Sequence, residues 1–202
     1  PYLHEFCYLI RSRYEFVLVM IQIVGLAGSL RTGSYSKQAL AITLQKVESF
    51  GARVELLDLQ EMQLPFCNGA DDYPNHPDVA RLQAAVAGAD GVILATPEYH
   101  GSVSGVLKNA LDLLSFEHLA GKVTAAISIL GGQSNSNALT DLRVITRWVP
   151  AWMSPEQVAI GQAWKVFDGE GRLTDPKMEE RLTALAQSLV QATRQLRGSD
   201  RT

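Results

Sequence analysis

Three stretches of this chain gather small, hydroxyl-bearing and amide-rich residues that could grip a ligand. Gly28-Ser29-Leu30-Arg31-Thr32-Gly33-Ser34-Tyr35-Ser36 lies between an apolar run and a segment of helical period. A small-residue loop that opens a helix presents free backbone N–H groups, and the helix dipole favours an anion there. Ser29, Thr32, Ser34 and Ser36 add hydroxyls and Arg31 adds a guanidinium, a donor set suited to phosphate. Thr96-Pro97-Glu98-Tyr99-His100-Gly101-Ser102 has a different chemistry. Pro97 stiffens the exit from a strand, Gly101 permits close backbone approach, and Tyr99 offers an aromatic face to a flat heterocycle. Gly131-Gly132-Gln133-Ser134-Asn135-Ser136 is a third loop of the same type.

The spacing of the first loop narrows the phosphate. A dinucleotide fingerprint needs G-x-G-x-x-G, whereas the glycines here stand as Gly25-x-x-Gly28-x-x-x-x-Gly33. Gly28 and Gly33 do have P-loop spacing, but Ser34-Tyr35 follows where Lys-Ser/Thr is required, so the phosphate-binding lysine and the magnesium hydroxyl are missing. A terminal monophosphate, held by hydroxyls and amides without metal, fits better. A hydrolase elbow, G-x-S-x-G, fails as well, because Gly101-Ser102-Val103-Ser104-Gly105 places Val103 at the nucleophile position. His100 close to Ser102 in sequence is no sign of a dyad, since such pairs meet through the fold. Glu98 has a second reading, as a salt-bridge partner within the chain or across to another subunit.

Composition sets the frame. The 202 residues suggest one domain, and 47% hydrophobic with 19% charged residues is ordinary for a globular protein. A net charge of -3 with no clustered basic stripe argues against a nucleic-acid partner. Cys7 and Cys67 are far apart, and His4, His76, His100 and His118 are scattered, so neither a zinc site nor a disulfide framework is expected and a cytoplasmic setting is natural. No apolar run reaches membrane-spanning length, so no membrane partner is expected. Residues 1–19 (PYLHEFCYLIRSRYEFVLV) are interrupted by Arg11, Arg13 and Glu15 and do not read as a signal peptide. They are expected to form an extension outside a domain spanning 20–197, with 198–202 as a tail; the alternative is an amphipathic arm that packs on the surface.

The elements that would hold the loops follow from periodicity. Met20–Leu26, Arg53–Leu59, Asp90–Thr96 and Lys122–Leu130 read as strands, and Ala151–Ile160 as a fifth strand broken by Pro155. Between them lie helical patterns. One is capped by Ser34 or Ser36 and carries Leu40, Leu44 and Val47. Another opens at Pro77, with Asn75 or His76 near the cap, and carries Val79, Leu82 and Val86. A third runs from about Gly105 to Phe116, a fourth carries Leu139, Leu142, Ile145 and Val149, and the last starts at Asp175-Pro176 and frays after Arg197. Residues 60–77 form a long loop of the kind that borders a site. Five alternations of strand and helix predict an α/β fold, a doubly wound parallel sheet with helices on both faces. Ligands bind such sheets beyond the carboxyl ends of the strands, where all three loops fall.

The segments Gly28-Ser29-Leu30-Arg31-x-x-Ser34-Tyr35-Ser36 and Thr96–Ser102, the latter followed by Gly105-Val106-Leu107-Lys108-Asn109-Ala110-Leu111-Asp112, resemble the NADPH-dependent FMN reductase family, which includes similar quinone, azo-dye and chromate reductases. The resemblance covers about residues 20 to 195. It implies a flavodoxin-like, three-layer, five-stranded parallel sheet of order 2-1-3-4-5. It implies that Ser29, Arg31, Ser34, Tyr35 and Ser36 surround the phosphate of a non-covalent FMN. Pro97, Glu98, Tyr99, His100, Gly101 and Ser102 would line the isoalloxazine, with Ser128, Gly131 and Gly132 as a third loop. NADPH or NADH would be the co-substrate, and a small molecule the electron acceptor. A homodimer or homotetramer is expected on the same basis, with Trp148, Trp152 and Trp164 available to an interface or to the core. No side chain is nominated as catalytic acid, base or metal ligand. The competing reading is a flavodoxin-like electron carrier that does not oxidise NAD(P)H directly. The chain departs from the family pattern at His100, where many members have Asn, and at Gln133–Ser136, where a more glycine-rich continuation is usual.

Overall fold

The computed structural model describes residues 20–133 and 137–199. The expected extension at 1–19, the Ser134–Ser136 end of the third loop and tail residues 200–202 lie outside the described residues. Among the described residues six strands form: β1 (Gln22–Ala27), β2 (Arg53–Asp58), β3 (Gly91–Tyr99), β4 (Ser102–Val103), β5 (Val123–Ile129) and β6 (Trp152–Ile160). Among the same residues seven helices accompany them: α1 (Tyr35–Ser49), α2 (Pro77–Gly88), α3 (Gly105–Asp112), α4 (Phe116–Leu119), α5 (Asn137–Trp148), α6 (Ala163–Val166) and α7 (Pro176–Ser199). A short 3-10 turn spans Leu59–Glu61.

The main sheet runs β2-β1-β3-β5-β6, all parallel, with β4 paired antiparallel to β3. Setting β4 aside, this is the expected 2-1-3-4-5 order. The strands alternate their side chains between two cores. Ile23, Ile93 and Ile127 face α1 and α7, where Leu40, Leu44, Leu185 and Leu189 pack. Val24, Leu26, Val92 and Leu94 face α2, α3 and α5 through Leu82, Leu107 and Leu142. Burial on both faces explains why these strands are near-continuous apolar runs. Among the described residues no helix is long and apolar enough to cross a membrane.

The structure differs from the sequence expectation in several places. β3 does not end at Thr96. It continues through Pro97, still paired with Ile129, to Tyr99, and then turns back into β4. Proline lacks only the donor, and its fixed φ is compatible with extended backbone, so it can stand where the ladder is ending. Second, β6 is not interrupted at Pro155. Its ladder steps from Thr124↔Met153 to Ala126↔Gln157, so the extra residues bulge around Pro155 on an edge strand. Third, α3 ends at Asp112, and Leu113–Ser115 separate it from the short α4. Last, α7 continues two residues past Arg197.

Candidate functional site

The first loop begins where β1 ends, and Gly28 is closed in on two sides. Its N–H donates to Ala95 O at 2.8 Å, and a Cβ added there would lie 2.6 Å from Leu107 Cβ. Only glycine lets β1 pass this close to α3. Ser104 completes the junction. Its hydroxyl donates to Gly28 O at 2.5 Å and accepts from Leu107 N at 3.1 Å as the N-cap of α3, while its own N–H donates to Thr96 Oγ1 at 3.0 Å. One buried serine thus joins the first loop, β3 and α3. Neither Ser104 nor Thr96 stood among the expected site residues. A serine ahead of Gly-Val-Leu at a helix start was the available signal for Ser104.

Of the two candidate caps of α1, Ser34 is the one: its Oγ accepts from Lys37 N at 3.4 Å and pairs with Ser36 Oγ at 2.7 Å. The first helical bond runs from Gln38 N to Ser34 O, so the N–H groups of Tyr35 and Ser36 precede the helical ladder. Ser29, Ser34 and Ser36 are buried, whereas Arg31 and Thr32 are exposed. Arg31 N donates to Ser29 Oγ at 3.3 Å. The Tyr35 ring stacks on Phe167, with centroids 5.4 Å apart. Lys37, one residue further into α1, is hydrogen-bonded and ion-paired to Asp58 at the end of β2. The Asp58 hydrogen bond holds the ammonium above the usual lysine value, against the opposing effect of burial, so the first turn of α1 keeps a fixed positive charge.

The second loop is a hairpin. Tyr99 pairs with Ser102, and the two residues between them, His100 and Gly101, have φ of 51° and 77°. A two-residue turn with both φ positive is the type I′ turn that fits strand twist. Tyr99 is 53% exposed, whereas Glu98 is 4% exposed. Glu98 Oε2 accepts from Ala138 N at 3.2 Å, and Oε1 is buried with no hydrogen-bond partner among the described residues. Among the described residues Glu98 makes no salt bridge, the alternative reading of it within the chain, and this carboxyl faces the first turn of α5. Ser102 Oγ donates to Asp141 Oδ2 at 2.6 Å. Asp141 was missed by the sequence reading, because nothing distinguishes it from any polar residue on an amphipathic helix.

The third set is less concentrated. Ser128 is buried on β5 beside Thr96 and Ala159 of the neighbouring strands. Gly131 and Gly132 are exposed, and Gly132 O accepts from Gln162 N at 2.7 Å.

The first two loops meet at a cavity of about 380 Å³, whose walls include Leu30 and Tyr99 from the loops and Val106 from α3. Met62, Leu64 and Phe66, from the long loop after β2, form another side. Asn109 pins that loop twice, donating to Pro65 O at 2.9 Å and accepting from Cys67 N at 2.9 Å. The site therefore joins a polar end, with amides, hydroxyls and a helix N-terminus, to an apolar slot with an aromatic wall.

Fold and loop placement together define the flavodoxin-like class of α/β proteins. Within it, the chain belongs to the NADPH-dependent FMN reductase family, whose profile matches residues 21–165. It is 34% identical over 186 residues to the NAD(P)H-dependent FMN reductase PA1204 of Pseudomonas aeruginosa, covering 88% of this chain and 98% of that one. It is 30% identical over 178 residues to the NADPH-dependent FMN reductase ArsH of Shigella flexneri, covering 86% of this chain and 69% of that protein. Among solved structures, the flavoenzyme NAD(P)H:(acceptor) oxidoreductase FerB of Paracoccus denitrificans superposes with a TM-score of 0.73 at 25% identity, over 87% of this chain and 98% of that one. The chain is thus an oxidoreductase of a flavoenzyme family, with FMN and NADPH as the cofactors that the family implies.

Proposed function

We propose that this protein transfers hydride from NADPH or NADH, by way of non-covalently held FMN, to a small acceptor such as a quinone, free flavin, azo compound or metal oxyanion. The observation that carries the reading is the meeting of the 28–36 loop and the 97–103 hairpin at one cavity, joined by the Ser104–Gly28 hydrogen bond. FMN supplies the redox chemistry. The chain binds and orients. Ser29, Arg31 and the amides of Tyr35 and Ser36 hold the phosphate, with Ser34 and Ser36 shaping the start of the helix. Pro97 to Ser102 would seat the ring, with Ser128, Gly131 and Gly132 as a third contributing set. Tyr99, partly exposed beside the cavity, would leave room there for the nicotinamide and then for the acceptor, so the two substrates would use it in turn. The spread of acceptors follows from that openness, since no side chain is assigned to recognise one of them. A free Cys67 suits a reducing cytoplasm.

The carrier reading is weaker. A flavodoxin from an archaeon superposes with a TM-score of 0.60 at 14% identity, which speaks for the fold alone. The reductase PA1204 matches at 34% identity over 98% of its length.

The same reading includes a homodimer or larger homo-oligomer. Phe116, Val144 and Trp148 are 55%, 55% and 75% exposed, and together they line a groove of about 530 Å³ between α3 and α5. Lys108 and Asp112, ion-paired to each other at 2.6 Å, border this otherwise apolar groove, and two-fold pairing sets such a patch against itself. A second copy of this chain is the occupant that suits it.

Titration of the flavin-free protein with FMN and with riboflavin, followed by quenching of flavin fluorescence, tests the site. Arg31→Ala should weaken FMN binding by about 1.5–3 kcal/mol and leave riboflavin binding unchanged, because a charge-assisted bond to phosphate is lost. Ser34→Ala is a poorer probe, since removing the α1 cap costs about 1 kcal/mol of stability in itself. Unchanged FMN affinity in Arg31→Ala would misplace the phosphate, and a wild type that binds no FMN would overturn the reading.

A further inference from the structure

We propose that α5 sets the position of the ring-seating hairpin, with Asp141 and Glu98 as positioning residues. The β3–β4 ladder holds two residue pairs, Glu98↔Val103 and Tyr99↔Ser102, too few to fix a hairpin alone. α5 grips it on both limbs. On the outgoing limb, Glu98 Oε2 accepts from Ala138 N at 3.2 Å. On the return limb, Ser102 Oγ donates to Asp141 Oδ2 at 2.6 Å. Ala138 and Asp141 are three residues apart, so they lie on the same face of the helix. At the tip, a Cβ added to Gly101 would stand 3.2 Å from Asn137 Nδ2, so the turn lies against the first residue of α5. Tyr99 and His100 lie between the two grips. Glu98 is buried and shares the hairpin with Tyr99, whereas Asp141 is half-buried and outside every loop. Asp141 is therefore the cleaner probe.

The inference rests on the FMN reading, and its test separates the two. In the flavin-free protein, hydrogen exchange of the 99–103 amides should be at least about tenfold faster in Asp141→Ala than in wild type. It should return towards wild type in Asp141→Asn, whose amide oxygen still accepts from Ser102. Asp141→Ala should weaken FMN and riboflavin by the same factor, about tenfold, because the ring end is disturbed and not the phosphate end. Ser102→Ala should do the same, and the double variant should lose no more than either single one. Unchanged exchange in Asp141→Ala overturns the clamp. Faster exchange with both flavin affinities intact overturns the positioning role. A wild type that binds neither flavin overturns the FMN reading and, with it, the link from clamp to flavin.

Discussion

His100 occupies the first position of a type I′ turn with φ of 51°. A side chain there costs about 1–2 kcal/mol unless it is one, such as Asn, that tolerates the left-handed region. The departure noted in the sequence, His where many similar proteins have Asn, therefore has a backbone meaning: Asn-Gly is the favoured pair for this turn, and His-Gly hides it. His100→Asn is expected to stabilise the protein by about 0.5 kcal/mol, measured as a rise in the midpoint of urea unfolding at unchanged slope. A lowered midpoint would show that the imidazole makes a contact worth more than the strain. Had that position read Asn, the hairpin would have been legible as a hairpin. As His-Gly after a proline, it looked like an open loop. Ser104 and Asp141 illustrate two further limits. Ser104 carried a cap signal, but its bond to Gly28 O spans 76 residues of sequence. Asp141 carried no signal, because its role depends wholly on where the fold sets Ser102.

At the level of elements, strand and helix type were legible wherever burial was two-sided or one-sided along a whole element. β1, β3 and β5 pack on both faces, so their apolar runs could belong to little else in a chain of this pattern. Proline was over-read in both strands where it occurs. Pro97 stands at the end of a ladder and Pro155 in an edge bulge, the two settings where a missing donor costs little. The loop after β2 was expected to border the site, and it does so through Met62, Leu64 and Phe66, held by Asn109 of α3. The exposed face of α3 and α5 leads to a prediction of its own. Trp148→Arg places a charge in the proposed subunit contact, so in sedimentation velocity the wild type should run as a dimer or larger and the variant as a single chain. A wild type that sediments as one chain at micromolar concentration would contradict the pairing.

For the whole molecule, five alternations of strand and helix predicted a parallel sheet, because parallel strands need crossover helices, and the ligand edge follows from strand polarity; the strand order itself was implied only by the resemblance to the family. What remained hidden was the cross-bracing at that edge: Ser104 between two loops, Glu98 and Asp141 between hairpin and helix. These contacts join residues distant in sequence and are set by packing alone. Their combined effect is a rigid polar end beside an open apolar slot, which suits a held cofactor and exchanging substrates. That claim is tested most directly by adding NADPH, and separately NADH, to the FMN-loaded protein without oxygen and following flavin absorbance near 450 nm. The band should bleach within the mixing experiment and recover when a quinone is added. FMN that stays oxidised with either nicotinamide, although tightly bound, would contradict the assignment and leave an electron carrier in its place.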